Sequence, residues 1–229
     1  MANILVVVTN VSKYPELERA TGLWLGEAVH FVDKMEKEGH KIDYVSPNGG
    51  YTSIDPHSLE KDSMTELDWE YYQNNQFLNK LGTTLAAEDI NPEDYDVIYY
   101  TGGHGVMWDY PENEKLQNIA MKIYENGGIV SAVCHGSIGL VNIKNEAGEY
   151  LIANKKVTGF ANTEERAIEL DKVVPFLTED ELVKKGANYV KGNDWAPFVV
   201  VDDHLVTGQN PASGGEVAEE VIKLLNSKR

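Results

Sequence analysis

Residues 127–139 read GGIVSAVCHGSIG: two glycines, a β-branched apolar run from Ile129 to Val133, then Cys134 and His135, then Gly136 and a second apolar stretch. This is the pattern of a buried strand that breaks sharply into a helix, and the break falls on the chain's one cysteine. A side chain at such an elbow stands at the carboxyl end of its strand, above backbone N–H groups left free where the helix starts. Those donors and the helix dipole favour a thiolate, so the elbow predicts a lowered thiol pKa, with His135 as a titrating base beside it. The competing reading is a core cysteine with an incidental neighbour, because free cysteines are commonly buried.

Outward from the elbow, strands alternate with helices. Residues 3–9 (NILVVVT) predict a strand buried on both faces, residues 22–39 a helix ending at Gly39, and residues 41–46 (KIDYVS) a second strand, which together make one right-handed βαβ unit. Residues 96–101 (DVIYYT) predict a strand running into Gly102, Gly103, His104 and Gly105, and residues 113–126 a helix leading to the elbow. Further on come a hairpin-like excursion at 144–156, a short strand at 157–160, helices beginning at Asn162 and Thr178, strands at 197–201 and 205–207, and a last amphipathic helix from Gly215. Residues 47–95, rich in Asp, Glu, Asn, Tyr and Pro, predict an insertion of short helices that shields one side of the sheet, with a solvated surface excursion as the alternative. The whole is one α/β domain over residues 1–229, doubly wound around a mostly parallel sheet.

Composition narrows the functions available. Thirty-seven acidic and twenty basic side chains leave a net charge of -17, which repels phosphate backbones and anionic lipid surfaces. One cysteine allows neither an intrachain disulfide nor a cysteine-based zinc cluster. No apolar run approaches membrane-spanning length, and the protein is expected in the cytoplasm. Gly103-x-Gly105 lacks the third glycine of a dinucleotide fingerprint and no Walker-type lysine follows, so nucleotide binding is not expected.

Sites in open α/β sheets lie beyond the carboxyl ends of the strands, where Cys134 and the Gly102–Gly105 loop both fall. The N–H groups of Gly103 and His135 could there form an oxyanion hole for a tetrahedral adduct on Cys134. Glu27 sits on the first helix among Leu23, Trp24 and Phe31 at helical spacing, so its carboxyl is a candidate desolvated proton shuttle, with a solvated surface glutamate as the alternative. Glu164 and Glu165 could each supply a carboxylate to orient His135, although Asn162 followed by Glu165 is also a capping-box pattern. The six histidines offer no metal-ligand spacing, and no metal is expected.

AVCHG at 132–136, TGGHG at 101–105 with WDYP at 108–111, LGEAVH at 25–30, VTGFANTEE at 157–165 and VTGQNPAS at 206–213 together resemble the ThiJ/PfpI superfamily. Within it they are similar to the branch of heat-shock chaperones and glutathione-independent glyoxalases (D-lactate dehydratases). The resemblance implies a flavodoxin-like sandwich related to class I glutamine amidotransferases, commonly dimeric, that needs no cofactor. It assigns Cys134 as nucleophile, His135 as its neighbour, Glu27 as the glutamate touching the thiol, Gly103 and the His135 N–H as oxyanion donors, and Glu165, with Glu164 as the alternative, as the triad carboxylate. The implied reaction turns methylglyoxal into lactate through a hemithioacetal. The alternatives are a holdase that binds unfolded proteins, a cysteine-based oxidant sensor, a protein deglycase and a cysteine peptidase.

Overall fold

A computed structural model describes residues 1–227 of the chain. In chain order the elements are β1 (Asn3–Val7), α1 (Leu25–Lys37), β2 (Lys41–Ser46), β3 (Asn48–Gly50), α2 (Glu66–Tyr72), α3 (Asn75–Gly82), β4 (Thr84–Ala86), β5 (Val97–Tyr100) and α4 (Val106–Asp109). There follow α5 (Glu114–Glu125), β6 (Ile129–Val133), β7 (Lys156–Val157), α6 (Asn162–Ala167), α7 (Thr178–Lys184), β8 (Asn188–Tyr189), β9 (Val199–Asp202), β10 (Leu205–Gly208) and α8 (Gly214–Ser227).

Eight strands form one sheet in the order β3-β4-β2-β1-β5-β6-β10-β9, parallel from β4 to β10, with antiparallel strands at both edges. Side chains along the central strands alternate between two cores, as the pleat requires. Leu5, Val7, Ile98, Tyr100, Val130 and Ala132 face one core, which α5 closes, and Ile4, Val6, Val97, Tyr99, Ile129 and Val133 face the other, closed by α1 and α8. The sheet is therefore covered on both faces, and its β-branched strands carry no polar alternation because neither face meets water. No helix among the described residues is long and apolar enough to cross a membrane.

Strand order reverses at β1: β2 lies on one side of it and β5 on the other. The carboxyl ends of β1, β5 and β6 and the first turn of α1 converge at this switch point, where such sheets leave a crevice. α1 is pinned there by Tyr99 of β5, whose hydroxyl donates to the Glu27 carbonyl at 2.8 Å and whose ring stacks on Phe31 at 3.7 Å.

Three elements differ from their expectations. The segment after Cys134 is a 3-10 helix, Cys134–Leu140, rather than an α-helix. A Cβ at Gly136 would come 2.7 Å from the Thr101 carbonyl oxygen, and one at Gly139 would run into the Tyr100 ring, so the glycines let this turn press directly on β5. The strand expected at 157–160 is confined to β7, which leaves the main sheet to pair with β8. Residues 47–95 hold the expected short helices and also add β3 and β4 to the sheet edge, an order that three-residue strands disguise.

Gly136→Ala tests this close approach: it should lower the melting temperature by about 5–10 °C, as a core clash of a few kcal/mol does in a chain of this size. An unchanged melting temperature would mean the elbow does not rest on β5.

Candidate functional site

Cys134 has φ 59, the left-handed region, so the strained residue of the elbow is the cysteine itself. Its side chain is 3% exposed but lines a cavity of about 220 Å³. Gly103, with φ 98, forms part of the same floor, and a Cβ there would collide with the Gly22 carbonyl and lie 2.8 Å from the Trp24 nitrogen. Only glycine can therefore bring the loop after β5 against the start of α1.

Glu27 occupies the first turn of α1 with no solvent exposure. The Gly102 N–H donates to its Oε2 at 2.6 Å, and no nitrogen or oxygen donor reaches Oε1. Its other close partner is the Cys134 thiol. Burial pushes the Glu27 carboxyl up to about 8, against the lowering influence of that thiol and the Gly102 N–H. Burial, followed by the Glu27 charge, likewise raises the Cys134 thiol, which the His135 N–H only partly offsets. The lowered thiol pKa expected from free N–H groups is thus reversed: desolvation and a carboxylate neighbour outweigh the donors of a short 3-10 turn. Thiol and carboxyl form a buried acid pair in which a single negative charge is the most the site accommodates readily.

His135 is 1% exposed, with Nδ1 3.5 Å from the Cys134 sulfur and Nε2 2.5 Å from Glu165 Oε2. The second Glu165 oxygen, Oε1, meets His104 Nε2 at 2.7 Å. Burial opposes the Glu165 charge, but the two imidazoles outweigh it and hold the carboxyl well below the usual range. His104 itself is lowered, first by burial and then by its neighbour His135. His104 was not singled out from the sequence, although it stands in the TGGHG loop. The signal would have been a second imidazole beside an acid that also serves His135.

The ligand-type atoms of His104, His135 and Glu165 lie within 4.8 Å of one another, a separation at which a cation could be held. Both carboxylate oxygens are already committed to the two Nε2 atoms.

The choice between the two glutamates is decided by the helix start. α6 begins one residue earlier than the capping-box pattern implied: Ala161 is its N-cap, and Glu164 Oε2 accepts from the Ala161 N–H at 3.0 Å. Glu164 Oε1 also accepts from the Trp195 N–H at 2.8 Å and Asn210 Nδ2 at 2.9 Å. Glu164 thus ties α6 to the loops of Trp195 and Asn210, and Glu165, turned about 100° away, is left free for the imidazoles.

A thiol elbow above a parallel sheet, faced by a buried glutamate from the first crossover helix and a carboxylate-held histidine, is the arrangement of an α/β protein with a cysteine at a strand-to-helix elbow. The chain belongs to the DJ-1/PfpI family, whose signature matches residues 20–224. It is 36% identical to the glutathione-independent glyoxalase HSP31 of Saccharomyces cerevisiae, over 90% of each chain. It is 34% identical to Glyoxalase 3 of Candida albicans, over 97% of this chain and 98% of that one. Its fold superposes on the crystal structure of glyoxalase III from Candida albicans with a TM-score of 0.90, at 34% identity and 97% coverage of both chains.

Two substitutions check the electrostatics. Because the folded Glu27 carboxyl titrates near 8 against an ordinary 4.5, its burial costs nothing below pH 4.5 and progressively more up to pH 8, at roughly 1.4 kcal/mol per unit. Glu27→Gln should therefore gain melting temperature over the parent as pH rises from 5 to 8, and a constant gap would mean that the carboxyl is not desolvated. Glu164→Gln turns an acceptor into a donor facing other donors. It should cost about 1–3 kcal/mol in denaturant unfolding, and a neutral result would remove Glu164 from the Trp195 loop.

Proposed function

We propose that the protein is a glutathione-independent glyoxalase, a cysteine-dependent D-lactate dehydratase that converts methylglyoxal and related α-oxoaldehydes to 2-hydroxy acids. The observation that carries this reading is the buried Glu27 carboxyl against the Cys134 thiol on the floor of a cavity. The names of the relatives that match nearly the whole chain support it.

In this reading the Cys134 sulfur attacks the aldehyde carbon while Glu27 takes the thiol proton, which a carboxyl titrating near 8 can accept and return at neutral pH. The N–H groups of Gly103 and His135 receive the developing oxyanion, and its protonation completes a hemithioacetal. His135, with Nδ1 3.5 Å from the sulfur, removes the hydrogen on the former aldehyde carbon as a proton. The resulting enediolate is reprotonated on the adjacent carbon and leaves a thioester. Water then cleaves the C–S bond, releasing lactate and the thiol. Glu165 holds the imidazole and stabilises its cationic form between the two proton transfers. The sum is methylglyoxal plus water to lactate, with no net oxidation and no need for glutathione, because Cys134 is the thiol.

The test is steady-state conversion of methylglyoxal without glutathione, followed by stereospecific assay of the lactate. Cys134→Ser should keep the melting temperature within a few degrees and lose at least about a thousandfold in turnover, the scale of removing a nucleophile. Turnover surviving in a folded Cys134→Ser protein would overturn the covalent route.

A further inference from the structure

The cavity is larger than a three-carbon aldehyde fills, and one of its walls carries a guanidinium that the chemistry above does not use. Arg19 lies on a loop closed by the Lys13–Ala20 bridge, with the Tyr14 N–H donating to its carbonyl at 3.0 Å. Its Cζ stands 5.4 Å from the Tyr14 ring centroid, and its Nη2 meets His57 Nε2 at 3.1 Å. His57 is fixed in turn by Asp55, which is 2% exposed, accepts the His57 backbone N–H at 2.9 Å and lies 3.2 Å from Nδ1. Arg19 Nη2 is also 3.3 Å from His57 Nδ1, so the guanidinium sits against the ring edge that Asp55 fixes. The second Asp55 oxygen is taken by the Thr21 hydroxyl at 2.9 Å.

Arg19 is thus positioned without being neutralised. Among the described residues no carboxylate lies within ion-pair distance of it, and its buried Nε has no partner. Glu60 is exposed at the rim, 3.9 Å from His57 Nε2. Among the described residues Arg19 is the sole lysine or arginine lining the cavity, in a chain whose net charge is -17. From Arg19 a row of rings leads to the thiol: Tyr14 is 5.8 Å from His104, and His104 is 4.1 Å from His135, the neighbour of Cys134. A cation at one end and a nucleophilic sulfur at the other suit a substrate with an aldehyde at its head and an anion at its tail.

We propose that Arg19, held by His57 and Asp55, is an anion subsite, and that the pocket takes α-oxoaldehydes bearing a carboxylate at their far end. The inference rests on the glyoxalase reading for its reactive head. A carboxylate is favoured because a guanidinium is a planar fork that can match two oxygens, whereas a phosphate dianion calls for a second cation and no lysine among the described residues lines the cavity.

The experiment compares 4,5-dioxopentanoate with its uncharged isostere 4,5-dioxopentanamide. In the parent protein kcat/KM should favour the acid by about tenfold or more, against the long-range field of an acidic chain, and Arg19→Gln should erase that preference. Arg19→Lys, which keeps the charge and loses the fork, should retain part of it. A parent that prefers the amide, or a preference that survives Arg19→Gln, overturns the subsite. If no aldehyde is turned over, the glyoxalase reading fails by itself, and the subsite is read from protection of Cys134 against iodoacetamide. There 4-oxobutanoate should protect at concentrations at least about tenfold lower than butanal in the parent and not in Arg19→Gln, and equal protection by the two aldehydes overturns it.

Discussion

A carboxyl with no access to water is the constraint on which this site depends. Glu27 reaches its place because the first five residues of α1 are all buried and the helix is pinned to β5 by Tyr99 and covered by α8, so that its first turn projects under the elbow rather than into solvent. The Gly102 N–H at 2.6 Å fixes the carboxyl, and the glycines at 102 and 103 are needed because any side chain there would strike Glu27 or the strand-to-helix loop before α1. Three segments far apart in sequence are thereby locked to one another around a single proton. The stability spent on burying that group at neutral pH is the kind of local cost that reactive sites carry.

The second carboxylate works in the opposite direction. Glu165 is as buried as Glu27, yet two imidazoles keep it charged, so the site holds one acid that tends to keep its proton and one that does not. In the proposed reaction, separating two like groups by environment in this way divides proton transfer from orientation, the pattern by which a fold runs acid and base chemistry at one pH. Glu164 makes the division possible. By taking the N-cap of α6 and the Trp195 and Asn210 loops on itself, it relieves its neighbour of backbone duty and fastens the loop whose Trp195 ring packs on Phe160 and lines the cavity.

Much of this was legible in one dimension. Apolar β-branched runs at fixed intervals announced a sheet covered on both faces, and the glycines around Cys134 announced an elbow, because a strand buried on both sides and a left-handed turn each leave a local mark on composition. Glu27 could be suspected from its apolar neighbours at helical spacing. The pairings of His104 with Glu165 and of Arg19 with His57 could not, since they join residues 61 and 38 positions apart along the chain, and no local pattern records such a pairing.

By itself the sequence determined which strands would be buried, where the chain would turn, that its one thiol would sit at the carboxyl end of a strand, and that the protein would repel polyanions. Tertiary structure alone decided the order of the strands, the withdrawal of β7 from the main sheet, the capping duty that falls on Glu164 rather than Glu165, and the direction in which the thiol titrates. The physical reason is the same in each case. Patterning and turn chemistry act over a few residues, whereas desolvation and hydrogen-bond geometry depend on what the rest of the chain brings alongside, and at Cys134 the buried carboxyl brought from position 27 outweighs everything the elbow contributes locally.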